Sequence, residues 1–88
     1  MATFVIESYL SAARSRELGD GIQRLRAAIR ACSLGAGAVR HVRSYYVPTD
    51  ELAFHLVEAR SIEVVSAIAT IADIATERIV EAEPATGS

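Results

Sequence analysis

Between Ala2 and Tyr9 the chain reads ATFVIESY, a run of β-branched and aromatic residues that stops where polar, helix-prone residues begin. Such a run suits a half-buried pleated surface and predicts a first strand over Thr3–Tyr9. Alternation sets Phe4, Ile6 and Ser8 on one face and Val5, Glu7 and Tyr9 on the other. From Ser15 to Leu34 the period changes: Leu18, Ile22, Leu25, Ile29 and Cys32 recur at intervals of three and four, the single stripe of an amphipathic helix. Gly19 and Gly21 weaken its first turns and move the expected start towards Asp20, while Gly35-Ala36-Gly37 offers the C-cap and loop. Two further strands are predicted over Ala38–Val47 and Glu51–Ala59. The turn chemistry of Val47-Pro48-Thr49-Asp50 joins them as an antiparallel hairpin.

Ser61 is placed to cap a second helix with Ile62, Val65, Ile68 or Ala69, and Ala72 on its buried face. The segment ERIVEAE from Glu77 reads as a fourth strand, Pro84 ends it, and residues 84–88 form a short flexible tail. The order strand, helix, strand, strand, helix, strand over residues 1–83 defines one ferredoxin-like βαββαβ domain of the α+β class. It has a four-stranded sheet with two helices on one face. In the third strand Leu52, Phe54 and Leu56 form the more continuous apolar set, so they are expected under the helices. Ile22, Leu25 and Ile29 should then pack on Phe4, Ile6, Phe54 and Leu56. The other face would carry Val5, Tyr9, Tyr45 and Val57, an apolar surface that a homodimer closing sheet on sheet would hide.

Composition narrows the setting. Of the 88 residues 51% are apolar, yet no run approaches the roughly 20 needed to span a bilayer, and a membrane partner is not expected. Glu7 interrupts the first apolar run before it could serve as a secretory signal, which leaves a cytoplasmic address. The nine basic residues are all Arg and are scattered from Arg14 to Arg78 against eleven acidic ones, so nucleic acid is not an expected partner either. Cys32, the one cysteine, has no internal disulfide partner and falls on the apolar stripe as a small core residue.

Three stretches carry a resemblance: FVIESYL near the start, VRSYYVPTDELAFHLVEARS across the hairpin, and ERIVEAE at the end. Together they resemble a small bacterial family of ferredoxin-like dimeric α+β-barrel proteins, largely uncharacterised, some described as nickel-binding. The resemblance covers about Phe4 to Glu83 and implies the fold, the homodimer and a cytoplasmic setting, with a divalent metal such as nickel as a further implication. Members often carry cysteines in the third strand, where this chain has Ala53 and His55.

Both histidines, His41 and His55, flank the hairpin. Strand parity groups His41 with Arg43 and Tyr45, and His55 with Ala53 and Val57. A turn centred on Pro48 sets His41 opposite His55, and one centred on Thr49 sets Arg43 there instead. In the arrangement that the resemblance implies, the first and third strands are neighbours at the sheet centre, so Glu7 lies beside His55. Glu7, His41 and His55, with Tyr9, Arg43 and Tyr45, would then line the interior of the dimeric barrel. Three readings stay open for this polar set. It is structural and fully hydrogen-bonded; or it is a small-ligand pocket with His55 or Glu7 as acid or base; or it is a metal site, two imidazoles and a carboxylate suiting nickel or zinc. An enzyme of the barrel type, a cofactor-free isomerase, cyclase or oxygenase acting on a small organic molecule, is the alternative to a binding protein. No phosphate-binding glycine loop, paired-cysteine zinc signature or serine nucleophile elbow is present.

Overall fold

The computed structural model describes residues 1–36 and 38–83. The strands and α-helices follow the predicted order, with an unpredicted 3-10 helix after the first strand: β1 (Ala2–Tyr9), the 3-10 helix (Ala12–Glu17), α1 (Leu18–Ala36), β2 (Arg40–Val47), β3 (Leu52–Ala59), α2 (Ile62–Ile71) and β4 (Thr76–Ala82). All neighbouring strands are antiparallel in the order β2-β3-β1-β4, so β1 and β3 lie at the centre. This is the ferredoxin-like α+β arrangement. Helix α1 runs from Leu18 straight through Gly19 and Gly21, so the expected delay to Asp20 does not occur. Of the proposed cap, Gly35 and Ala36 belong to the helix, and Gly37 lies outside the described residues, as does the 84–88 tail. Among the described residues no helix is long and apolar enough to cross a membrane.

The core fills the space between the helices and one sheet face. Leu25, Ala28 and Ile29 of α1, with Val65, Ile68 and Ala69 of α2, pack on Phe4 and Ile6 of β1 and on Val57 and Ala59 of β3. Cys32 packs against this cluster partly buried, and Ile62, expected inside, is exposed at the helix start. The β3 assignment made from the sequence is therefore inverted. Phe4 pairs with Val57, Ile6 with His55 and Ser8 with Ala53 across the β1–β3 ladder, and directly opposed residues share a face. Ala53, His55, Val57 and Ala59 are the buried residues of β3, whereas Leu52, Phe54 and Leu56 lie on the open face with Val5 and Glu7. Volume accounts for the inversion: where two helices lie on the sheet, alanine leaves room for Leu25 and Ile68 that a leucine would take.

The ends of α2 are well satisfied. Ser61 Oγ accepts the Val64 N–H, the expected N-cap. At the other end Asp73 takes the left-handed conformation at φ 57°, the Ile74 N–H reaches the Ala69 carbonyl and the Asp73 N–H reaches that of Thr70. That pair of bonds is a Schellman motif with aspartate where glycine is usual. Arg24 of α1 donates from Nε to the Ala72 carbonyl at 2.8 Å and so latches the two helices together.

Truncation separates the two faces. Leu25→Ala, in the core, is expected to cost about 2–5 kcal/mol. Phe54→Ala should cost well under half of that when unfolding is followed at a dilution where chains are unassociated. The reverse ranking in denaturant titrations would contradict the face assignment.

Candidate functional site

His55 sits at the middle of β3, a central strand, with Ile6 beside it on β1 and Ser44 beside it on β2. It is 3% exposed, a polar side chain in the floor beneath the helices. The hairpin register explains its neighbour. Val47 pairs with Leu52 and Ser44 with His55, so neither register drawn from the sequence is adopted, and a slip of one residue exchanges the faces. Further along, Val42 is an extra residue between the pairs His41–Val57 and Arg43–Leu56, a β-bulge. The bulge breaks the parity that grouped His41 with Arg43 and Tyr45. It brings His41 and Ser44 to the helix side and leaves Arg43 and Tyr45 on the open face.

The result is a linear hydrogen-bonded chain. Ser44 Oγ lies 2.6 Å from His55 Nδ1 and 2.8 Å from His41 Nε2, and Arg26 of α1 donates from Nε to His41 Nδ1 at 3.3 Å. The ring centroids are 6.4 Å apart. Burial, reinforced by the neighbouring His41 ring, pushes the His55 pKa down to about 4. Burial, with the Arg26 guanidinium next, lowers that of His41 as well.

His55 also forms part of the wall of a cavity of about 420 Å³ on the helix side. Ser8 and Ala53 complete the sheet floor, Leu18 and Gly21 come from the first turns of α1, Arg14 and Glu17 from the 3-10 helix, and Arg24 and Asp73–Ala75 from the α2 side. The charged residues of the wall are balanced, two arginines against two carboxylates. Its rim is pinned by the hairpin. Glu51, at φ 54°, accepts the Leu10 N–H on its carbonyl, the Ala12 N–H on Oε2 at 2.7 Å and the Tyr9 hydroxyl on Oε1. Tyr46 donates its hydroxyl to the Leu10 carbonyl at 2.6 Å. Glu51 thus supplies the cap that Ser11 does not. Its carboxylate, as the largest cause, raises the Tyr9 pKa.

Of the residues singled out from the sequence, His41 and His55 come together and Glu7 does not join them. Glu7 lies on the open face, paired with Phe54 in one ladder and Arg78 in the other, and its carboxylate accepts from Arg78 Nε at 2.7 Å. Tyr9 and Tyr45 are about half exposed, and Arg43 donates to the Tyr45 hydroxyl across the open face. As a metal set, Glu7, His41 and His55 do not fit: two ring nitrogens that could face one ion are both bonded to Ser44, and the carboxylate is on the far side of the sheet. Among the described residues no three of His, Cys, Asp and Glu cluster to hold a metal ion. Ser44, Arg26 and Glu51 were not singled out; the only signal for them lies in the bulge and the turn geometry, which the residue pattern does not mark.

These features define a ferredoxin-like α+β protein with a helix-side cavity floored by a histidine. No family model matches the chain, and no curated protein does. Among solved structures, the crystal structure of SCO4226 from Streptomyces coelicolor A3(2) matches with a TM-score of 0.78 at 19% identity, over 97% of this chain and 100% of that one. The likeness is one of fold.

The site predicts a pH dependence of stability. Unfolded, the His55 ring titrates near 6.5, and folded near 4, so between those values the unfolded chain binds more protons. Stability from this group is complete above pH 6.5 and falls as the pH drops towards 4, by about 3 kcal/mol at 1.36 kcal/mol per unit. His55→Gln should flatten that slope in chemical denaturation followed between pH 4.5 and 7.5. An undiminished slope would place the acid sensitivity elsewhere.

Proposed function

We propose that this chain is a cytoplasmic homodimeric α+β-barrel protein that binds a compact organic molecule in the helix-side cavity of each subunit, with His55 as the polar anchor. The observation that carries this reading is a buried histidine in the wall of a cavity of about 420 Å³. That volume falls within the range of small-molecule pockets, which combine apolar walls with a few fixed polar groups. Nδ1 is the one His55 nitrogen with a partner among the described residues, and no buried side-chain nitrogen or oxygen there is left unbonded, so Nε2 is reachable and is the atom free for a ligand. The site expected on the open sheet face moves, in this proposal, to the opposite face. Catalysis without a cofactor, an isomerase, cyclase or oxygenase reaction, is a variant of the same reading. The link from His55 through Ser44 to a second titratable ring favours it.

A divalent ion such as nickel is the second reading. Two neutral imidazoles with centroids 6.4 Å apart favour it, since neutral imidazole is the ligating form. It requires Ser44 to leave both rings and a further donor.

The dimer is proposed through the open face, with a second copy of this chain as its occupant. Val5, Leu52, Phe54, Leu56 and Val80 share that face with Tyr9 and Tyr45. The ion pairs Glu7–Arg78 and Arg40–Glu58 neutralise four of its charges within one subunit and Arg43 stays bonded to the Tyr45 hydroxyl, so most like-charge repulsion between two copies is removed. Twofold contact of identical apolar faces is the usual way to close such a surface.

Two measurements follow. At Gly21, in the cavity wall, a Cβ would meet nothing closer than Arg24 Nη2 at 3.8 Å, so a side chain can start there without strain and Gly21→Leu is the variant chosen to fill the cavity. In a ligand-observed NMR screen of neutral mono- and bicyclic compounds, wild type should bind members that Gly21→Leu and His55→Ala do not. Binding that survives Gly21→Leu would overturn the cavity assignment, and nickel-dependent stabilisation abolished by chelator would favour the metal instead. Separately, sedimentation at micromolar concentration should give twice the chain mass, and Phe54→Glu should halve it; a monomeric wild type would rule out the dimer.

A further inference from the structure

Arg26 stands on the exposed side of α1 and has no bond to His55, yet it touches the far end of the chain that reaches it. The protons along that chain are not free to choose their places. A guanidinium has only donors, so the His41 Nδ1 that receives Arg26 Nε–H must be bare, and a protonated Nδ1 would set two donors face to face. A neutral His41 with a bare Nδ1 carries its proton on Nε2. That proton points at Ser44 Oγ, 2.8 Å away. The hydroxyl keeps a second lone pair but has one proton to give, and among the described residues the acceptor bonded to it is His55 Nδ1 at 2.6 Å, so the proton is assigned there. His55 Nδ1 is then bare too, and the ring's proton stands on Nε2.

We infer that Arg26, acting through His41 and Ser44, fixes His55 as a single tautomer whose Nε2–H is the donor offered to the cavity, so that the ligand presents an acceptor oxygen there, of the carbonyl or enolate class. The inference rests on the cavity reading for the ligand, though not for the tautomer. Arg26 is in this account a positioning residue: it touches neither cavity nor ligand. The burial that keeps both rings uncharged supports it, because an imidazolium at His41 would have no bare nitrogen for Arg26. The same polarity predicts what is excluded. A donor-only ligand such as an ammonium meets a donor at His55 and gains nothing from it.

The test reads the rings directly. Long-range proton–nitrogen correlation spectra of histidine-labelled protein at pH 7.5, without ligand, should show His41 and His55 each as the single Nε2–H form. Arg26→Leu, a change on the exposed helix face, should turn His41 into a mixture of tautomers and carry His55 with it. Ser44→Ala should uncouple the two, leaving His41 as Nε2–H while His55 becomes mixed. His55 as the Nδ1–H form in wild type, or an Arg26→Leu spectrum with both rings unchanged, would overturn the assignment. Titration with 2-cyclohexenone and, in parallel, with cyclohexylammonium tests the ligand class. Displacement of the His55 Nε2 resonance by the ketone alone supports it, and displacement by the ammonium alone overturns it. If neither binds while the tautomers are as assigned, the cavity reading and the ligand class fall and the Arg26 relay stands.

Discussion

The register of β3 against β1 is the constraint from which the rest of the helix side follows. Ile6 opposite His55 puts Phe4, Ile6, His55 and Val57 on one surface, and that surface is where Leu25, Ile29 and Ile68 pack. Side chains alternate strictly along a strand, so a slip of one residue would send His55 to the open face and bring Leu56 and Phe54 under the helices. The packing resists such a slip. Ala53 and Ala59 are almost fully buried, and larger residues in their places would press into the helix layer.

A second irregularity builds the site on that register. In an unbroken strand, His41 and Ser44, three positions apart, would face opposite ways. The extra residue Val42 turns the strand between them, and both meet the helix-covered side within reach of His55. A regular β2 in the same hairpin register would keep Ser44 opposite His55 but turn His41 to the open face, leaving Ser44 and Arg26 without it. The bulge therefore links an exposed arginine on one layer to a buried ring in the other, which ordinary alternation cannot do.

The order of elements, their approximate limits and the Ser61 cap were legible in the sequence because each rests on local chemistry: period, cap and turn residues. The core face of β1 was legible for the same reason, Phe4 and Ile6 being larger and more apolar than Thr3 and Glu7. The face of β3 was not. Both of its alternating sets are largely apolar, and Leu52-Phe54-Leu56 is the stronger by hydrophobicity, whereas the structure selects Ala53-His55-Val57-Ala59 by volume. That error carried His55 to the open face beside Glu7, the wrong side of the sheet for the histidine. The nearness of the two histidines was legible, since they flank one hairpin, but the face they share was not. Ser44 between them was not, because a bulge at a β-branched residue such as Val42 has no residue signature.

Among the described residues two that are not glycine take the left-handed conformation: Asp73 at φ 57° in the cavity wall, and Glu51 at φ 54° in the hairpin turn, bonded to the wall residues Tyr9 and Leu10. A non-glycine residue in that region costs roughly 1–2 kcal/mol, and glycine would avoid the cost at either place. Each carries something glycine lacks or ends an element that shapes the wall. The Glu51 carboxylate caps the 3-10 helix and holds the Tyr9 hydroxyl, which ties the hairpin to the segment over the cavity mouth. Asp73 ends α2 where the carbonyls of Ala72 and Asp73 both accept from Arg24, and Arg24 itself lines the cavity. In both places the surrounding hydrogen bonds overdetermine the backbone and hold it in that conformation. The core beneath the cavity is closed by apolar packing, whereas its rim is held by these few polar latches.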